Sequence, residues 1–196
     1  MESDLLERAE VACALLTSVT RSGLTQADFA RCLGTSPSRF STYASGAVVP
    51  SAVVYLRARN LGADLDRARE TGLSTPDGTA RAVNRALGEG DEDFALRLVL
   101  QARDDLSDPA HSDALVRRVW RQRGRPIKDA RFDVLLRAVV AHELKDDAPD
   151  WALDARLEGD WVVPDPFRDD AEGRAQTPGW LARTGIFIAE RGLVTA

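Results

Sequence analysis

Between Ser22 and Ser51 the chain carries helix stops and starts so closely spaced that no long element can run through it. Gly23, Gly34 and Gly46 each supply a residue that ends a helix at little steric cost. Thr25, Ser36 and Ser51 each supply a hydroxyl that caps the next one. The stretch TQADFARCLGTSPSRFSTYASG, residues 25–46, therefore predicts two short helices joined by a tight turn. Asp28 follows Thr25 as a shortened capping box, and Pro37 stands where a missing N–H costs nothing. Ala27, Phe29, Ala30 and Leu33 give the first of these helices an apolar side; Phe40 and Tyr43 do so for the second.

The flanks continue the helical pattern. Ser3 caps a first helix on which Leu5, Ala9, Ala12, Leu16 and Val19 recur at helical spacing. A fourth helix after Ser51 bears Val54, Leu56 and Leu61; Gly62 is expected to break it, with 65–70 as a short fifth. The turn-rich TGLSTPDGT predicts a linker over 71–79. Beyond it, apolar periodicity predicts helices over 92–106, 112–122 and 129–143, the last supported by an Asp133–Arg137 pair one turn apart. The final fifty or so residues set Trp151, Trp161 and Trp180 among prolines and predict irregular chain, one short helix at TPGWLAR and one short strand in GIFIAERG. The expected fold is mainly α: an N-terminal bundle of four to five helices over 1–70, then a second helical region over 80–196 with an irregular Trp/Pro-rich tail.

With 44% apolar and 29% charged residues among 196, the chain is expected to be globular. Its net charge of −5 gives no global case for nucleic acid, but the charge is uneven. Over 20–60 five arginines (Arg21, Arg31, Arg39, Arg57, Arg59) face Asp28 alone, a local +4 that leaves −9 elsewhere. Arginine is abundant while Lys128 and Lys145 are the only lysines, a composition typical of GC-rich bacterial genomes. Cys13 and Cys32 are expected to be buried free thiols in a reducing compartment. With no CxxC and only His111 and His142, no metal site or cofactor is expected. No apolar run approaches membrane-spanning length and no secretion signal opens the chain, so the expected location is the cytoplasm, without a membrane partner.

Gln26, Ala30, Leu33-Gly34, Ser36, Phe40, Ser41, Tyr43, Ser45-Gly46 and Pro50 together resemble the helix-turn-helix of the phage-repressor and Cro type, the Xre-like regulators. The resemblance covers about a third of the chain. It implies a DNA-binding domain over 1–70 whose second motif helix enters the major groove of double-stranded DNA. It implies that Gln26 clamps a backbone phosphate and that Ser38 and Thr42 meet base edges. Ser36, Ser41 and Ser45 would supply hydroxyls to phosphate or base, with Arg39 reaching a phosphate or a guanine. The sequence departs from the family at Pro37, Thr42, Ala44, Ala47 and Val48, where longer polar or basic side chains are common. Each bidentate contact so lost removes ~1–3 kcal/mol of base discrimination, so a modest reader working as a homodimer is expected. The competing reading keeps the motif only for packing or for holding a protein; the polar face of Ser36, Ser38, Ser41, Thr42 and Ser45 argues against it.

The basic run RRVWRQRGRP, 117–126, invites a second nucleic-acid contact, but Trp120 shares an apolar face with Val116, which favours a helix with a charged outer side. His142-Glu143 lacks the second histidine of a zinc-protease motif. No phosphate-cradling loop, nucleophile elbow or acid–base pair supports an enzyme. The Trp/Pro-rich segment followed by RTGIFI, 183–188, is similar to the tails of some Xre-like proteins encoded beside toxin-like genes. Trp161 and Phe167, set among Asp160, Asp165, Asp169 and Asp170, are accordingly expected to be exposed anchors for a protein partner. The expectation is a transcriptional repressor; the alternative is an antitoxin-type protein that neutralises a toxin or enzyme through its C-terminal region. Nothing in the sequence argues for or against a small-molecule sensor in 80–196.

Overall fold

A computed structural model of the chain describes residues 2–164 and 169–193; in it Thr25, Ser36 and Ser51 each cap a helix. Thr25 Oγ1 accepts the Asp28 N–H at 3.1 Å, Ser36 Oγ accepts that of Arg39 at 3.2 Å, and Ser51 Oγ accepts that of Val54 at 3.4 Å. Such caps contribute ~1 kcal/mol each. The helices are α1 (Glu2–Ser22), α2 (Gln26–Cys32), α3 (Pro37–Ala44) and α4 (Ala52–Thr71). They form the first of two units, Met1–Thr75 and Pro76–Ala196.

Leu15, Phe29, Ala30, Phe40, Tyr43 and Ala58 are the core of the first unit. Phe29 and Phe40 meet edge to face with ring centroids 5.5 Å apart, joining α2 to α3. Three expectations are corrected here. The buried side of α1 runs through Ala12, Leu15, Ser18 and Ser22, while Leu5 and Leu16 are exposed. Cys13 is exposed; only Cys32 is buried. Gly62 does not break α4, which continues to Thr71. A Cβ at Gly62 would lie 2.7 Å from the Ser18 carbonyl oxygen, so glycine is there to let α1 pass, not to stop α4.

In the second unit, Pro76 opens α5 (Pro76–Gly88), which takes up part of the expected 71–79 linker. Only the turn after Gly72, at φ 73°, separates α4 from α5. Then come α6 (Glu92–Ser107), α7 (Asp113–Trp120) and α8 (Ala130–Leu144), with single turns at Lys145–Asp147 and Asp150–Ala152. The tail holds β1 (Trp161–Val162), α9 (Asp170–Ala175), α10 (Gly179–Ala182), β2 (Ile186–Phe187) and a turn at Glu190–Leu193. The two strands pair in parallel, Trp161 opposite Ile186 and Val162 opposite Phe187. Trp120, Phe132, Leu135, Leu181 and Ile186 are essentially without exposed surface.

The expected Asp133–Arg137 pair does not form. Arg137 instead donates to the Trp151 and Leu153 carbonyls at 2.8 Å each, tying the tail to α8, and Asp133 accepts from Arg123. Among the described residues no helix is long and apolar enough to cross a membrane.

Candidate nucleic-acid interface

Helix α3 has two unlike sides. Phe40 and Tyr43 point into the core, which fixes the rotation of the helix. Ser36, Ser38, Arg39, Ser41, Thr42 and Ser45 are all exposed. Gln26, the first residue of α2, is half-buried. The expected contact residues on and beside α3 thus lie together along one short element, with Gln26 on the preceding one.

Their hydrogen atoms are less free than the sequence implies. Thr42 Oγ1 donates to the Arg39 carbonyl at 2.8 Å and Ser45 Oγ to the Thr42 carbonyl at 3.2 Å. Ser36 Oγ serves as the cap and lies 3.1 Å from Ser38 Oγ. With their hydrogens held inside the helix, Thr42 and Ser45 offer lone pairs outward and act as acceptors. Arg39 Nε donates to the Tyr43 hydroxyl at 2.7 Å, and its guanidinium carbon lies 6.0 Å from the Tyr43 ring centre. That bond anchors Arg39 at its inner nitrogen. No sequence signal announces these intrahelical bonds, because they depend on rotamers.

The charge of the first unit is also revised. Arg21 pairs with Asp66 at 2.9 Å, and Arg31 pairs with the buried Asp28. Asp66 lies outside the 20–60 window, so counting within that window overstates the field. Across Met1–Thr75 eight arginines meet eight acidic residues, a balance of zero. Arg39, Arg57 and Arg59 remain as exposed cations without a carboxylate partner among the described residues, Arg59 lying 5.9 Å over the Tyr55 ring.

The basic run after Val116 belongs to the second unit's own packing. Trp120 is fully buried, Arg117 pairs with Asp147, Arg123 with Asp133 and Arg125 with Asp77. Trp161 is not the exposed anchor expected of it. It is half-buried in β1, its ring 5.1 Å from that of Phe132 and under the Arg131 guanidinium at 5.2 Å. Its backbone pairs in parallel with β2, opposite the buried Ile186. Phe167 lies outside the described residues. Comparison of the chain with protein-family models, with curated proteins and with solved structures gave no match.

Proposed function

We propose that α2 and α3 are a helix-turn-helix of the phage-repressor and Cro type, and that the chain is a sequence-specific, DNA-binding transcriptional regulator. On this reading it is a cytoplasmic bacterial repressor acting as a dimer on an operator. The observation that carries the reading is the division of α3: aromatic residues lock one side into the core, and an unbroken hydroxyl and arginine side faces out. Gln26 would hold a phosphate and fix register; Ser38, Ser41 and Thr42 would face base edges. As an acceptor, Thr42 suits the amino groups of cytosine or adenine in the major groove.

Titrating the full chain against duplex from upstream of its own gene, and against random duplex, tests this. Gln26→Ala should weaken both complexes alike. Ser38→Ala or Thr42→Ala should weaken the upstream duplex alone, by about fivefold for a hydrogen bond of ~1 kcal/mol. With Arg39, Arg57 and Arg59 as the unpaired cations, log K should fall with log salt at a slope of about −3 or shallower per protomer. Equal losses on both duplexes, or no binding of either at low salt, would sink the proposal.

The dimer draws support from a second surface. Val53 and Leu56, 57% and 54% exposed, share the outward side of α4, and Val48 and Val49 precede them at 48% each. Exposed apolar groups at this density mark contact surfaces. Val53→Glu combined with Leu56→Lys should convert a dimer to a monomer in sedimentation and cost the operator complex about a hundredfold through lost avidity. A parent chain that sediments as a monomer on its own and on DNA would remove the dimer.

A further inference from the structure

At the C-terminal end of α8 the second unit opens into a pocket of about 540 Å³, a size that suits a small ligand. Its surfaces differ in chemistry. Ala138, Ala141, Ala152 and Ala155 contribute only methyl groups, leaving an apolar floor with room above it. One wall is flat: the His142 imidazole lies on the Trp180 indole with ring centres 4.2 Å apart and planes 6° from parallel. The rim is cationic, with Lys145, Arg156 and Arg183 against Asp154 alone.

That rim runs against its surroundings. Acidic residues outnumber basic ones 23 to 18 in Pro76–Ala196, and several arginines there are taken up by carboxylates. Arg103 holds Glu143, Arg117 holds Asp147, Arg131 holds Glu92 and Arg174 holds Asp160. The pocket cations are not used in this way. Arg183 donates from Nε to the Gly179 carbonyl at 3.2 Å, which orients the guanidinium and leaves its outer N–H groups. Lys145 and Arg156 are exposed and enter no ion pair among the described residues. Lys145 also offsets the partial negative charge at the end of α8; Arg156 has no such duty.

The backbone adds a second sign. The non-glycine residues with positive φ among those described are Lys145, at 50°, and Asp154, at 53°, and both line this pocket. Lys145 combines that φ with a ψ of −118°, outside the left-handed helical well. Strained residues of this kind gather at ligand sites, where the surrounding structure holds them in place.

We propose that this pocket binds a small organic anion with a planar ring, the ring on the alanine floor against the His142–Trp180 wall and the anionic group on Arg156 and Arg183. Guanidinium groups match phosphate and carboxylate equally well in geometry, so either head group fits the rim. The site lies wholly within Pro76–Ala196, and its occupation does not depend on whether the first unit holds DNA.

Calorimetric titration of the full chain with AMP and, separately, with salicylate tests the assignment without involving DNA. Adenosine and inorganic phosphate are the half-probes. At least one of the two anions should bind one to one and more tightly than either half-probe. Tighter AMP assigns a phosphate head and tighter salicylate a carboxylate. Arg156→Gln with Arg183→Gln should weaken that binding at least about tenfold, as expected for lost charge-assisted hydrogen bonds, with the melting temperature unchanged. The inference is overturned if neither anion binds up to ~10 mM, the limit of weak association. It is equally overturned if adenosine or phosphate alone binds as tightly as the better of the two anions, or if the double variant binds like the parent.

Discussion

Gly62→Val is expected to unfold Met1–Thr75 while the second unit keeps its own melting transition. Two effects compete at this position. Every side chain but proline improves on glycine as a helix former, by up to ~1 kcal/mol for alanine and less for a β-branched residue. Against that, a Cβ would stand 2.7 Å from the Ser18 carbonyl oxygen and 2.9 Å from Ser18 Cα. These are main-chain atoms near the C-terminal end of α1 and cannot swing aside as a side-chain end can. Forcing α4 away from α1 would also open the core around Leu15 and Ala58. Overpacking of this kind costs ~1–3 kcal/mol even for one methylene, and valine adds two further methyl groups. A small unit with ~5 kcal/mol of total stability does not absorb that. Limited proteolysis should cleave Met1–Thr75 in the variant and spare Pro76–Ala196, and the proposed DNA binding should be lost with it. A variant as resistant to protease as the parent would show that the two helices separate at little cost.

The second large effect is expected at Asp77, in the first turn of α5. Its carboxylate is 5% exposed and accepts from Arg81 at 2.7 Å, from Arg125 Nε at 3.0 Å and from the Arg125 N–H at 3.2 Å. Burial on its own raises the pKa. The hydrogen bonds from Arg81 and then Arg125 outweigh it, and the group ends below the ordinary carboxylate value. A lowered folded-state pKa contributes stability above the unfolded value of ~3.9 and loses it as pH falls through the folded one. Asp77→Asn keeps the size and removes the charge. Because water reaches both guanidinium groups, the loss at neutral pH should be ~2–3 kcal/mol rather than the full cost of breaking a buried pair. Urea unfolding at pH 7 and again near pH 3 checks the sign: the gap between parent and variant should be smaller in acid. An equal gap at both pH values would mean that shape, not charge, holds the α5 start to Arg125.

Helix boundaries set by local chemistry were legible in the sequence. Ser36-Pro37 caps and opens α3 within its own residues, and Thr25 does the same for α2. What depended on distant partners was not legible. Gly62 has the look of a stop because its reason, Ser18, lies on another helix. Helix α5 is hard to read from sequence because its buried side offers Val83 among small residues (Thr79, Ala80 and Ala86) and because Pro76-Asp77-Gly78 imitates a turn. At the candidate interface the identity of the exposed residues on α3 was readable from spacing, since Phe40 and Tyr43 mark the opposite side. The commitment of the Thr42 and Ser45 hydrogens was not, and neither was the pairing of Arg21 with Asp66. The cationic pocket had no sequence signature at all. Its members come from α8, the 152–156 turn and α10, and only the fold brings them together.

The parallel pairing of β1 with β2 also sets an order of events in the making of the protein. Helix α8 is complete at Leu144 and already has α6 beside it, yet other neighbours arrive later: Trp161 against Phe132, and α10 along the helix. A parallel ladder cannot close until its second strand exists, and non-local pairings of this type form slowly. At ~5–20 residues per second, the ribosome needs a few seconds to deliver the chain from Leu144 to Leu193. For that interval α8 waits without the rest of the surface that finally covers it. A nascent chain stalled or cut there is an aggregation hazard rather than a smaller folded protein.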